Sequence, residues 1–414
     1  MLRRILKITG LGNRRRKTLK INVAVIDDLI NIDYLKLSKA SKIEIKGVFS
    51  ILNNRVEKCE PVKECLTHAT LCTKIFNDKV KYICGVYFIN IFDVNDNRAN
   101  IDKLLVALEW CKVQKIKIVN LSLGTTKLKD IDKLYKKIVE VSKENMIVVA
   151  ANSNDGKMTF PASFDKVISV NALKSKNRGN RLLFHENDID GINIESYVKK
   201  ENVIYNNMIY KIYPSNSYAA PIITAKFCEY FSQGFIDVKQ IKEKIMAEAI
   251  ITNESKQLQK LKKNYCKKLN IPIIAVVPKK NDKMTMKEDF VLIDKLLQNF
   301  SQNGYEGICI TDTYEMNINK RIFNLEENKD INKLNTKKKM KFWGNYCNTD
   351  FIIVYIKSKK EFYKIVNRYI DVILHNGDKN MFDVYKYKYV KKIEMENPYN
   401  YDNIFECLYT LLIN

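Results

Sequence analysis

INVAVID, residues 21–27, is an almost unbroken apolar run that stops on a carboxylate. A short run of this kind, without polar alternation, reads as a strand buried on both faces. Working outward, the pattern returns in YICGVYFINIF (82–92), KIVNLSL (117–123), MIVVAA (146–151) and KVISVNAL (166–173). Between and after these runs lie stretches with helical spacing: IDKLLVALEWCKVQ (101–114), DIDKLYKKIVEVSKEN (130–145) and AAPIITAKFCEYFSQ (219–233). Apolar strands separated by helices form a parallel sheet covered on both faces, so the fold class is α/β.

That alternation defines a first domain over residues 19–245, preceded by a basic arm at 1–18. A charged, helical linker is expected over 246–268. A second alternation then fills 269–414. IPIIAVVP (271–278), GICITD (307–312) and FIIVYIK (351–357) read as strands, while DFVLIDKLLQNFSQNGYE (289–306) and KEFYKIVNRYIDVILHN (360–376) read as helices. The basic stretch 317–341 reads as a loop. This smaller C-terminal α/β domain opens with a strand, loop and helix order, but 278–285 contains no glycine, so the cradle a phosphate needs is missing. It reads as a noncatalytic module that binds a partner or substrate.

Composition narrows the function classes. The 414 residues are 46% hydrophobic and 29% charged, which describes a globular chain rather than a disordered one. No apolar run has the length of about 18 residues that spans a bilayer. The N-terminus is a poor secretory signal, and the ten cysteines are scattered with no CxxC pair. Reduced thiols and a cytoplasmic location are expected from this. No metal or other cofactor is expected, since only three histidines exist and none has ligand spacing with a cysteine. The net charge of +24 can attract nucleic acid, an anionic surface or an acidic polypeptide. Dispersed lysines and the lack of an RNA-binding motif make nucleic acid the weakest of these.

Catalytic groups in such a sheet gather at the carboxyl ends of strands. Asp27 ends the first strand. His68 lies where helical spacing begins in THATLCTKIF, and His185 and His375 have no comparable setting. Asn154 follows the strand MIVVAA and can offer a side-chain amide to an oxyanion. Ser217, in SNSYAAP (215–221), stands near a helix start, with Pro221 expected in the first turn. Taken singly, these residues also read as a turn former, a structural histidine, a turn asparagine and a helix cap.

In order, VAVIDD (23–28), THAT (67–70), IVNLSLG (118–124), IVVAANSNDG (147–156), FPASFDKVISVNAL (160–173) and SNSYAAP resemble the successive signature blocks of the subtilisin-like serine proteases. The resemblance covers about residues 20–232 and implies a subtilisin-like parallel sheet flanked by helices. It implies a triad of Asp27, His68 and Ser217, with Asn154 in the oxyanion hole. It also implies a substrate cleft between Ser122, Leu123 and Gly124 on one wall and Ala151, Asn152 and Ser153 on the other. Three departures stand out. Ser215 and Asn216 replace the glycine and threonine usual before the serine, Asp28 follows the acid, and Ser153 replaces a glycine and should narrow the cleft.

The expected activity is a selective, intracellular serine endopeptidase acting on a polypeptide, with an acidic precursor peptide as the candidate substrate. The alternative is a catalytically silent binding protein on the same fold.

Overall fold

The computed structural model describes residues 21–38, 40–93, 99–173, 182–185, 191–235, 237–252, 270–278, 283–313, 317–325, 335–376, 384, 390–395 and 399–413. The basic arm 1–18 and most of the expected linker lie outside them.

Two sheets organise the chain. The first is built from β1 (Ile21–Asp27), β2 (Ile43–Leu52), β3 (Arg55–Lys58), β4 (Cys84–Asn90), β5 (Ile118–Leu121), β6 (Ile147–Ala151), β7 (Ile168–Leu173), β8 (Leu183–His185), β9 (Ile192–Tyr197) and, beyond a separate hairpin of β10 (Glu201–Tyr205) and β11 (Met208–Ile212), β12 (Ile250–Thr252). Among the described residues its order is β12-β8-β9-β7-β6-β5-β1-β4-β2-β3. The central pairs are parallel, and only β2–β3 and β8–β9 run antiparallel. The apolar runs land in the middle, as two-sided burial requires: β5, β6 and β7 are buried along their whole length.

Helices cover both faces. α1 (Ile32–Lys36), α2 (His68–Lys79), α3 (Ile101–Val113), α4 (Ile131–Lys143), α5 (Asn216–Ser232) and α6 (Val238–Glu248) belong to this part of the chain. Val23, Val25 and Val149 turn towards a core shared with α2, α5 and α6, while Ala24, Ile26 and Val148 turn towards one shared with α3 and α4. Alternate residues of one strand thus feed opposite cores.

The second sheet contains β13 (Ile273–Val276), β14 (Gly307–Thr311), β15 (Ile322–Asn324), β16 (Phe351–Tyr355), β17 (Val372–His375) and β18 (Lys391–Glu394), in the order β15-β14-β16-β13-β17-β18 and parallel throughout. α7 (Lys283–Gln302) and α10 (Tyr401–Ile413) pack on one face. α8 (Thr336–Cys347) and α9 (Lys359–Tyr369) pack on the other, in a core continuous with that of α3 and α4. The Met158 N–H donates to the Tyr346 carbonyl across this junction at 2.7 Å.

Four expectations change. α5 starts at Asn216, so Pro221 lies inside the helix rather than in its first turn. The segment after α6 is strand β12 on the first sheet, not a continuing helix. The helix expected over 360–376 ends at Tyr369, and VILH forms β17, because Asp371 exchanges hydrogen bonds with Ile273 and draws the chain beside β13. The stretch 317–341, read as loop, holds β15 and the start of α8.

Candidate active site

β1 carries Asp27 to the carboxyl edge of the sheet, where its side chain is 1% exposed. Both carboxylate oxygens face His68 Nδ1, at 3.0 and 2.9 Å. An acid in this position fixes the imidazole tautomer, with Nδ1 protonated and Nε2 turned to other work. His68 is the first residue of α2, whose N-cap Thr67 accepts from the Thr70 N–H.

Asp28 works on the same helix. Its oxygens accept from the backbone N–H groups of His68 and Ala69, at 3.1 and 2.7 Å. Two of the donors that an α-helix leaves without partners at its start are satisfied in this way. The second acid therefore finds its own partner, the helix that holds His68.

Ser217 is the second residue of α5, and α5 packs on α2 and on β5, β6 and β7. Its Oγ lies 3.0 Å from Ser215 Oγ. Among the described residues no hydrogen bond joins Ser217 Oγ to His68 Nε2. Tyr218 packs beside the imidazole, with ring centroids 5.4 Å apart.

The proline inside α5 has a local consequence. Pro221 has no N–H to give the carbonyl of Ser217, its partner one turn back. That carbonyl instead accepts from Ser122 Oγ at 2.9 Å and from Cys72 Sγ at 3.7 Å. Ser122 is held in turn by Asn120 Nδ2, and Asn120 Oδ1 accepts from Thr224 Oγ1 on the same helix.

Asn154 is exposed, three residues beyond β6. Its Oδ1 accepts from the Asn216 N–H at 2.9 Å, leaving Nδ2 as the donor end without a partner among the described residues. Asn216 ties the neighbouring loops together. Its Nδ2 is shared among the carbonyls of Asn152 and Ser153 and Asn171 Oδ1, while its Oδ1 accepts from the Ala172 N–H. A glycine or threonine there could not make this set.

The two expected cleft walls take different forms. On one, Ser122 is spent on Ser217, and Thr125 and Phe160 exchange both backbone hydrogen bonds at 2.8 Å. A groove of about 770 Å³ adjoins it, lined by Leu104, Leu123, Gly124 and Phe160 among others. On the other, Ala151 is buried at the end of β6, Asn152 donates its amide to Ser169 Oγ at 2.5 Å, and Ser153 Oγ bonds Asp155.

Electrostatics follow from burial and neighbours. Burial opposes charge on His68, but the Asp27 carboxylate on Nδ1 raises the imidazole pKa, and Cys72 Sγ, 3.7 Å from Nε2, would add to this only as a thiolate. Burial also pushes the Cys72 thiol up, so it stays protonated near neutral pH and Asp27 is the anion that matters. Burial first, and Asp27 second, push Asp28 up to about 6. Asp27, His68 and Cys72 are the one group among the described residues whose potential ligand atoms lie within 4.8 Å of one another. Both Asp27 oxygens already face the imidazole, so this cluster reads as the site itself.

His185 and His375 fall elsewhere, in β8 and β17. His185 is buried, with Nε2 2.7 Å from Glu195 Oε1. Asp28 and Asn216 were not legible as partners of these groups, because they act across 40 or more residues of chain; Cys72, four residues after His68 on α2, had the helical spacing that places it beside the imidazole.

A sequence profile described as the Subtilase family matches residues 19–270. The chain belongs to the subtilase family. The family is one of serine peptidases, and the large parallel sheet flanked by helices is its fold. Over 96 residues this subtilase is 30% identical to the minor extracellular protease Epr of Bacillus subtilis (strain 168), a match that takes in 22% of this chain and 14% of that protein's length. Among solved structures it is similar to the prenylagaramide maturation protease PagA, at 20% identity and a TM-score of 0.38 over 54% of this chain and 80% of that one. It is also similar to the nisin leader peptidase NisP of Lactococcus lactis, at 15% and 0.42 over 54% and 81%, and to the protease domain of PatA, at 17% and 0.41 over 60% and 98%. No described helix of this subtilase is long and apolar enough to cross a membrane.

Proposed function

We propose that this subtilase is a selective serine endopeptidase with Asp27, His68 and Ser217 as its triad. The observation that carries the reading is the buried Asp27 carboxylate paired through both oxygens with Nδ1 of His68, on a helix that packs against the helix of Ser217.

In the proposed reaction His68 Nε2 takes the Ser217 proton as Oγ attacks a peptide carbonyl. The oxyanion accepts from Asn154 Nδ2 and from the Ser217 backbone N–H. His68 then gives the proton to the leaving amine, and water, deprotonated by the same imidazole, releases the acyl group and restores Ser217. The substrate lies between Ser122–Gly124 and Ala151–Ser153. The peptidase domain expected over 19–245 takes in the end of α6 and β12 as well, since β12 pairs with β8 on the first sheet, and 269–414 form an accessory domain. The nine described cysteines, all free thiols, suit the reducing cytoplasm. The +24 charge suits an acidic precursor peptide, whose cleavage should then slow as salt is raised.

One observation favours a second reading, a silent scaffold: Ser217 Oγ bonds Ser215 rather than His68. Catalytic hydrogen bonds are often loose before substrate arrives, and we take the contact as the resting state. The test is to incubate the full chain with a complex peptide mixture and identify new termini by mass spectrometry. Cleavage lost in Ser217→Ala and His68→Ala supports the peptidase; no cleavage above those variants supports the scaffold.

A further inference from the structure

Away from the cleft, a cavity of about 700 Å³ opens where the end of α2, the middle of α5 and the end of β9 come together. That volume is in the range of small-molecule sites. Four cations, Lys79, Lys81, Lys199 and Lys226, line it against a single carboxylate, Glu229. The acids nearby are already committed. Glu229 holds Lys81 at 2.8 Å and Lys226 at 3.3 Å, while Asp78 and Glu201, beside an adjoining cavity of about 290 Å³, both hold Lys74 at 2.8 Å. Lys79 and Lys199 line both cavities and have no acid partner among the described residues.

Ser196 adds a hydroxyl to the same wall. It lines the larger cavity from β9, two residues beyond Ile194, which belongs to the core shared with α2 and α5. Alternation along the strand turns both side chains to that face. Ser196 is 1% exposed, and its Oγ has no hydrogen-bond partner among the described residues. A buried hydroxyl without a partner costs stability, so its place on the cavity wall points to an acceptor supplied by a ligand.

We propose that this cavity binds a phosphate monoester with an apolar body, the phosphate held by Lys79, Lys199 and Ser196 and the body by Leu182, Tyr197 and Ile222, which also line it. A monoester carries close to two negative charges at neutral pH and three strong acceptor oxygens. Two uncommitted ammonium groups and one hydroxyl match that set, whereas a carboxylate would leave one lysine unanswered. The site is separate from the cleft. Lys79 ends the helix that His68 begins, roughly 16 Å away along its axis, and the proposal stands whether or not Ser217 is the nucleophile.

The test is calorimetric titration of the full chain with phenyl phosphate, inorganic phosphate, benzyl alcohol and triglutamate at one ionic strength. Phenyl phosphate should saturate one site and bind about tenfold or more tightly than the other three. Lys79→Gln and Lys199→Gln should each weaken it by about tenfold, the size of one lost charge-assisted bond. Lys136→Gln, at an exposed pair on α4, should leave it unchanged. Ser196→Ala should weaken binding by about threefold or more and leave the melting temperature of the free protein held or raised, a pair of results that a merely structural hydroxyl would not give. No saturable binding of phenyl phosphate would overturn the proposal. So would binding that the three cavity variants leave unchanged, or that Lys136→Gln weakens equally, since either shows general attraction to a basic chain. Inorganic phosphate held as tightly as phenyl phosphate would remove the apolar body from the site, and triglutamate held more tightly would replace the proposal with an acidic peptide segment.

Discussion

Asp27 and Asp28 are adjacent carboxylates turned to different partners, a ring nitrogen and a helix end. The imidazole pKa is raised above its ordinary 6.5, so the neutral form that can take a proton gains population only as pH rises beyond that value. The kcat/KM profile should therefore climb on the alkaline side of 6.5, and a profile already flat there would contradict the assignment. Asp27→Asn should lower the plateau by about 10⁴-fold by permitting the wrong tautomer. Asp28 makes a stability prediction. Its folded pKa, about 6, exceeds the ordinary 3.8, so the folded state binds this proton more tightly and rising pH costs stability across that window. Comparing urea midpoints at about pH 4 and about pH 7, the wild type should lose more stability than Asp28→Asn, which has no proton to release. Equal losses would count against the shift. Asn154→Ala should reduce kcat by about 10²- to 10³-fold with little change in KM, the size of one lost oxyanion donor.

At the level of elements, the Ser217 carbonyl is available because α5 has a proline one turn further on. Pro221→Ala would supply the missing N–H and draw that carbonyl into the helix, away from Ser122. The expected outcome is a melting temperature held or raised, with kcat reduced; kcat and melting temperature unchanged together would contradict the role given to Pro221. The elements around the site were largely legible: β1, β4, β5, β6 and β7 are continuous apolar runs, and α3 and α4 carry helical spacing. β2 was not, because IEIKGVFSIL mixes charge with apolar residues on a partly exposed strand. Nor was the hairpin β10–β11, whose Asn206 and Asn207 take positive φ, as a tight hairpin turn requires. The helix boundary before VILH was lost for a related reason: an apolar strand directly after an amphipathic helix continues its spacing, and only the pairing with β13 separates them. In the site, residue types were legible but their bonding was not, since Asn216 and Asp28 act on groups far away in the chain.

Across the whole molecule, the two sheets meet through a shared core and backbone contacts such as Met158 to Tyr346. Trp343, 1% exposed in that core, should cost about 3–5 kcal/mol when replaced by alanine. Because the core is continuous, tryptophan fluorescence and far-ultraviolet circular dichroism should report one coincident urea transition; two separated transitions would show that the sheets unfold independently. The central claim is narrower: the assembled chain activates one serine. It is tested most directly by treating the full protein with a fluorophosphonate and locating the adduct by peptide mass spectrometry. The account predicts label on Ser217 that disappears in His68→Ala. A folded protein that takes no label there, or takes it equally without His68, would contradict it.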